Sequence, residues 1–167
     1  NVDRLIIVAC GTAYYAGLVG EYLIEDLAGI PVEVELASEF RYRKPIIGKN
    51  TAIIAISQSG ETLDTLEAVR EAKRRGAITL GIVNTVGSTI ARETDAGVYN
   101  HAGPEMGVAS TKAFLSQIAV LALIGLFFGR NRTMSDAEGK KFIASLQKLP
   151  DLANKVLAQS DAIKAIA

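Results

Sequence analysis

Two short runs constrain this chain more than any other feature. Leu5-Ile6-Ile7-Val8 and Ala52-Ile53-Ile54-Ala55-Ile56 are apolar at every position. A strand with one wet face alternates apolar and polar residues, whereas an unbroken β-branched run marks a parallel strand covered on both faces. Further strand-like stretches lie at Val32–Leu36, Ile78–Val83 and around Gly97–Asn100. Five strands with intervening helical patterns predict an α/β fold, a three-layer αβα sandwich around a parallel sheet. Their order in the sheet cannot be read from periodicity.

The helical segments carry ordinary start and stop signals. One runs from Cys10-Gly11-Thr12 to about Leu27 and stops at Gly29-Ile30-Pro31. A second places Leu63, Leu66, Val69 and Ala72 on one side, with acids early, Lys73-Arg74-Arg75 late and Gly76 closing it. That charge order suits the helix macrodipole, and Glu61 reads as a dipole partner at its start. A short turn spans Thr89 to Glu93. A longer helix is expected to begin near Ala109 or Ser110 and to include the uncharged stretch Ala113–Gly129. Ser116, Gln117 and Gly125 interrupt that stretch and Lys112 and Arg130 flank it, so it reads as a helix buried on all sides rather than as a membrane span. After Arg130, Ser135-Asp136-Ala137-Glu138 is a capping-box pattern. Pro150 breaks the chain before a last helix with Leu152, Val156, Leu157 and Ile163.

Composition removes several function classes. Lys plus Arg equals Asp plus Glu at 18 each, so no net field draws the chain to nucleic acid or an anionic membrane. The single cysteine, Cys10, excludes a disulfide framework and a cysteine-cage metal site. A hydrophobic content of 49% excludes a disordered chain. Val2-Asp3-Arg4 leads straight into a strand, so no signal peptide is expected. The first residue is Asn1 rather than Met, and Ala167 interrupts a helical pattern, which predicts a piece of a longer protein.

Ligands of parallel α/β sheets bind outside the carboxyl ends of the strands. Three turns there are rich in small hydroxyl residues: Cys10-Gly11-Thr12-Ala13, Ser57-Gln58-Ser59-Gly60-Glu61-Thr62 and Gly107-Val108-Ala109-Ser110-Thr111-Lys112. In the second, Ser59 and Thr62 are three apart at a helix start, where free N–H groups and hydroxyls suit a phosphate dianion. The competing reading is that they only cap the helix. No Gly-Lys-Ser/Thr ending and no G-x-G-x-x-G run is present, which argues against a nucleotide P-loop and a dinucleotide site. Lys112 stands where the dipole disfavours a cation, so it is either functional or paired with Glu105. His101 is the one histidine, and Cys10 ends a strand beside a helix start. His101, in a turn after the fifth strand, reads as an ordinary loop histidine rather than a general base, and Cys10, with no partner base identifiable, as close packing under the site.

Taken together, four motifs resemble the SIS (sugar isomerase) family of phosphosugar-binding α/β sandwiches. They are Ala9-Cys10-Gly11-Thr12, Ala37-Ser38-Glu39-Phe40-Arg41-Tyr42, Ser57-Gln58-Ser59-Gly60-Glu61-Thr62 and the run from Glu105 to Phe114. Within the family the likeness is to the first SIS half of the isomerizing glutamine–fructose-6-phosphate amidotransferases, and it covers about three quarters of the chain. The resemblance implies the flavodoxin-like strand order 2-1-3-4-5 and fructose 6-phosphate as ligand, with glucose 6-phosphate and glucosamine 6-phosphate as related ligands. It implies that Ser57, Ser59, Thr62 and the Gln58 backbone hold the phosphate, with Gly11, Thr12, Ser110 and the Val108 backbone along the sugar. One departure is Ala13, where many members carry Ser.

The resemblance also implies a division at 130, with residues 131–167 leading to a second SIS half outside this chain. The glutaminase cysteine, the isomerase base, the ring-opening histidine and the Schiff-base lysine would lie outside it too. No catalytic residue, cofactor or metal is therefore assigned here, and the chain alone is expected to be inactive. The parent would be a cytoplasmic homodimer with no nucleic-acid or membrane partner. The alternatives are a SIS deglycase or a sugar-phosphate sensor domain.

Overall fold

The computed structural model describes residues 2–166. A five-stranded, all-parallel sheet has the order β2-β1-β3-β4-β5. Its strands are β1 Arg4–Ala9, β2 Val32–Leu36, β3 Thr51–Ser57, β4 Ile78–Val83 and β5 Ala96–Tyr99. The sequence order of strands reverses between β1 and β3, and the crevice above their carboxyl ends is where such sheets seat ligands.

Alternate residues of the apolar runs feed two cores, as the period of two requires. Leu5, Ile7 and Ala9 join Ile54, Ile56 and Ile82 beneath helices α1 (Thr12–Ala28) and α5 (Lys112–Arg130). Ile6 and Val8 join Ile53, Ala55 and Val83 on the other face, beneath α2 (Ala37–Phe40), α3 (Leu63–Arg74) and α4 (Thr89–Glu93). The helix α1 ends on Gly29 in the left-handed conformation (φ 59°), whose N–H donates to the Glu25 carbonyl at 2.9 Å. Beyond the sheet lie α6 (Asp136–Leu146), α7 (Leu149–Leu157) and α8 (Ser160–Ile166). The capping box at Ser135 and Glu138 is present with both of its reciprocal bonds.

Four expectations need correction. The helix α5 starts at Lys112, not at Ala109 or Ser110, because the Glu105 carboxylate from the preceding loop meets the Thr111 N–H at 2.6 Å. It is not buried on all sides either. Its Ala113, Gln117, Leu121 stripe faces the core, while Leu115, Leu123 and Phe127 are exposed. By length and composition it could cross a membrane, but its inner stripe is packed along α1 over the sheet. Leu63 opens α3 exposed, so the buried face of that helix is Thr65, Leu66, Ala68, Val69 and Ala72. The segment after Arg130 forms three helices instead of two, because Pro150 sits within the first turn of α7, where its missing N–H is harmless. The last two bury no residue.

Candidate functional site

The loop from β3 to α3 is held by its own hydroxyls. Ser57, 2% exposed, accepts a hydrogen bond from the Gly60 N–H at 3.0 Å, and its Oγ lies 3.0 Å from Thr62 Oγ1. Ser59 Oγ accepts from the Glu61 N–H at 3.1 Å. Gly60 adopts φ +68°, a region open to glycine at no steric cost. Its carbonyl accepts from the Ile90 N–H at 3.0 Å, while the Gln58 carbonyl accepts from the Asn84 N–H at 3.1 Å. Both contacts fasten the loop to the neighbouring segment, the end of β4 and the start of α4. Ser59 is therefore not the cap of α3. Thr62 occupies that position and makes no side-chain capping bond, which leaves the first N–H groups of the helix available. Glu61 serves a different helix from the one expected. It accepts from the Thr89 N–H at 2.8 Å at the start of α4, and that bond holds its carboxyl below the ordinary range.

The three hydroxyl-rich turns meet around one cavity of about 250 Å³. All eight expected residues line it: Gly11, Thr12, Ser57, Gln58, Ser59, Thr62, Val108 and Ser110. Cys10, Ala13, Ile56 and Gln117 complete the lining. Ala13 is thus at the wall, where it presents a methyl and no hydroxyl. The helices α1, α3 and α5 begin here, and none has an N-cap side chain bonded to its first turn. The dipoles and open N–H groups of α1 and α3 give the cavity an anion-binding character, although among the described residues no Lys or Arg lines it. None of the described His, Asp or Glu residues lines it either, so the wall offers hydrogen bonds but no strong general base.

The third turn has its own anchor. Glu105 accepts from Ser110 Oγ at 2.9 Å and from Thr111 Oγ1 at 3.1 Å, in addition to the Thr111 N–H. The expected Glu105–Lys112 pair does not form. Among the described residues Lys112 has no ion pair, and the carboxylate instead offsets the positive end of α5. These bonds, led by the Thr111 N–H, hold Glu105 below the ordinary carboxylate value. A carboxyl lowered on folding stabilises the native state fully above its unfolded value and loses that contribution as pH falls through the folded one. Glu105→Gln is therefore expected to lower the melting temperature at pH 7, with the gap to the native chain closing below the ordinary carboxylate range. A gap that stays constant with pH would show that Glu105 acts through shape alone.

His101 is exposed, takes a left-handed φ of 53° and sits 6.0 Å from the Tyr99 ring, outside the cavity lining. Cys10 lies beneath the loop, with Thr65 Oγ1 donating to its Sγ at 3.9 Å. The lining residue that sequence reasoning missed is Gln117. It is 1% exposed, and its Oε1 has no hydrogen-bond partner among the described residues. Such an orphaned amide oxygen costs about 1–3 kcal/mol. Its signal was available: Gln117 falls four residues after Ala113 and four before Leu121, on the buried stripe of α5.

Comparisons with known proteins agree with this architecture. The SIS domain model matches residues 1–126. The chain is 56% identical over its whole length to the glutamine–fructose-6-phosphate aminotransferase [isomerizing] of Chlorobaculum tepidum and 52% identical to that of Clostridium acetobutylicum. It spans 27% and 28% of the lengths of these two relatives. The C-terminal domain of glucosamine-fructose-6-phosphate aminotransferase from Francisella tularensis superposes with a TM-score of 0.96 at 38% identity, over 99% of this chain and 47% of that one. With the family model covering three quarters of the sequence and the sheet in the expected order, the chain belongs to the SIS domain family.

Proposed function

We propose that this chain is the first SIS half of an isomerizing glutamine–fructose-6-phosphate aminotransferase and that its cavity grips fructose 6-phosphate. The phosphate lies in the 57–62 loop, held by Ser57, Ser59, Thr62 and the Gln58 backbone at the start of α3. Gly11, Thr12, Ser110 and the Val108 backbone follow the sugar. The observation that carries this reading is the meeting of three hydroxyl-rich turns and two open helix starts, those of α1 and α3, at one cavity without a cation among its described lining residues. An anion held by N–H groups and hydroxyls suits a phosphate monoester, and a wall without acid or base suits a half-site whose chemistry is supplied elsewhere. In this reading residues 131–167 lead to the second SIS half, and the whole enzyme converts fructose 6-phosphate and glutamine to glucosamine 6-phosphate and glutamate. The exposed Tyr15, Tyr22, Leu115 and Phe127 on α1 and α5 are then covered by that half and by the partner copy of a homodimer.

Calorimetric titration tests it. Fructose 6-phosphate is expected to bind saturably and fructose not at all. Ser59→Ala is expected to weaken binding by about 1–3 kcal/mol through loss of a charge-assisted contact. Equal heats from fructose and fructose 6-phosphate, or no saturation with either, would sink the reading.

A further inference from the structure

Gln117 is a polar residue on the one stripe of α5 that the fold buries. Its neighbours there, Ala113, Val120, Leu121 and Ala122, are all apolar. The unpaired Oε1 makes it a poor choice for packing, because an apolar side chain of the same length fills the space with nothing left unsatisfied. The one feature that distinguishes its position from the rest of the stripe is that Gln117 lines the cavity. We infer that Gln117 is a ligand-contacting residue whose amide pairs with a hydroxyl of the bound sugar. This rests on the proposed reading of the cavity as a sugar-phosphate site.

The chemistry selects a hydroxyl over the phosphate. An amide oxygen needs a donor, and an ionised phosphate oxygen offers none, whereas a hydroxyl both donates and accepts. Position agrees, since Gln117 is on the helix that follows Ser110, a residue assigned to the sugar and not to the phosphate. The residue therefore reads the polyhydroxyl end of the ligand and favours a phosphosugar over a phosphate ester with an apolar tail. A site that relies on a buried hydrogen bond discriminates sharply against analogues that lack the hydroxyl, because the amide is then left unpaired in the complex.

The test is Gln117→Met, which keeps length and removes both polar ends. Binding is measured by calorimetry with fructose 6-phosphate and with inorganic phosphate, and stability by thermal melting. The expected result is about tenfold or more weaker fructose 6-phosphate binding with inorganic phosphate affinity unchanged. The melting temperature without ligand is expected to hold or rise, since an unsatisfied oxygen has been removed. Unchanged affinity for fructose 6-phosphate would overturn the inference and leave Gln117 a packing residue. So would equal weakening for both ligands, or a lowered melting temperature that tracks the loss of binding. If the unsubstituted chain binds neither ligand, the reading of the cavity fails first, and that outcome is seen before any variant is made.

Discussion

Replacing Gly60 by alanine is expected to remove about 2–5 kcal/mol of stability and all measurable sugar-phosphate binding. Two terms add. The left-handed φ of +68° costs an alanine about 1–2 kcal/mol. The new methyl also lands 2.5 Å from Ser88 Cβ and closer still to its Oγ. Rotating the Ser88 hydroxyl away relieves only the second clash, so backbone must shift, at about 1–3 kcal/mol. That shift acts on the segment whose N–H is tied to Ser57 and whose carbonyl is tied to Ile90. Gly76 supplies the control. It has φ +81° but open space around an added Cβ, so Gly76→Ala isolates the backbone term alone. Thermal melting should show Gly60→Ala lowered by roughly 5–15 °C, well beyond Gly76→Ala. Equal shifts in the two variants would mean that the loop gives way and the packing against Ser88 is not restrictive.

The strands were legible because burial on both faces leaves a chemical trace in every residue of a run. β1 and β3 contain no charged residue apart from Arg4 at the edge, and their alternate residues serve two separate cores. Helix boundaries set by local chemistry were legible too, as at Gly29 and Ser135. What escaped was set by contacts distant in sequence or by elements too short to have a period. The start of α5 depends on Glu105 reaching forward six residues, and no cap rule anticipates a loop carboxylate in that role. The single turn α2 buries Ala37 and Phe40 completely yet has only four residues, fewer than any helical repeat needs to declare itself. Apolarity alone also cannot say what covers a face. The same run that packs Leu121 into the core leaves Leu123 and Phe127 exposed.

The site was readable in the same uneven way. The eight expected residues among the lining fall in turns whose hydroxyls and glycines stand out against their surroundings. Gln117 did not stand out, because within an uncharged helix a lone amide looks like relief from hydrophobicity. Its meaning comes from the face it occupies, and that face is fixed by α1.

The crossing of α1 and α5 gives the other large expected effect. Leu121 is fully buried, and an added Cβ on Gly20 would meet its Cδ1 at 2.7 Å, so the leucine fills the hole that the glycine leaves. Leu121→Ala is expected to cost about 3–5 kcal/mol, the upper part of the range for such truncations, because a glycine opposite has no side chain with which to close the void. Gly20→Ala alone gains about 0.5–1 kcal/mol of helix propensity and loses about 1–3 kcal/mol to overpacking, so it is expected to be mildly destabilising. In the double variant the methyl added by Gly20→Ala enters the room that Leu121 has vacated. Denaturant melts should therefore place it about 1–2 kcal/mol above Leu121→Ala, and strictly additive losses would refute the knob-and-hole account. The cycle has a functional arm as well. The first residues of α1 and the second turn of α5 put Thr12 and Gln117 on the cavity wall, while Leu121 does not line it. A crossing that slides when Leu121 is cut back must carry both wall residues with it. Fructose 6-phosphate binding should then fall in Leu121→Ala and recover in the double variant, in step with stability, whereas Gln117→Met loses binding while stability holds. The opposite pairing of those two readouts separates a residue that touches the ligand from one that only sets where the wall stands.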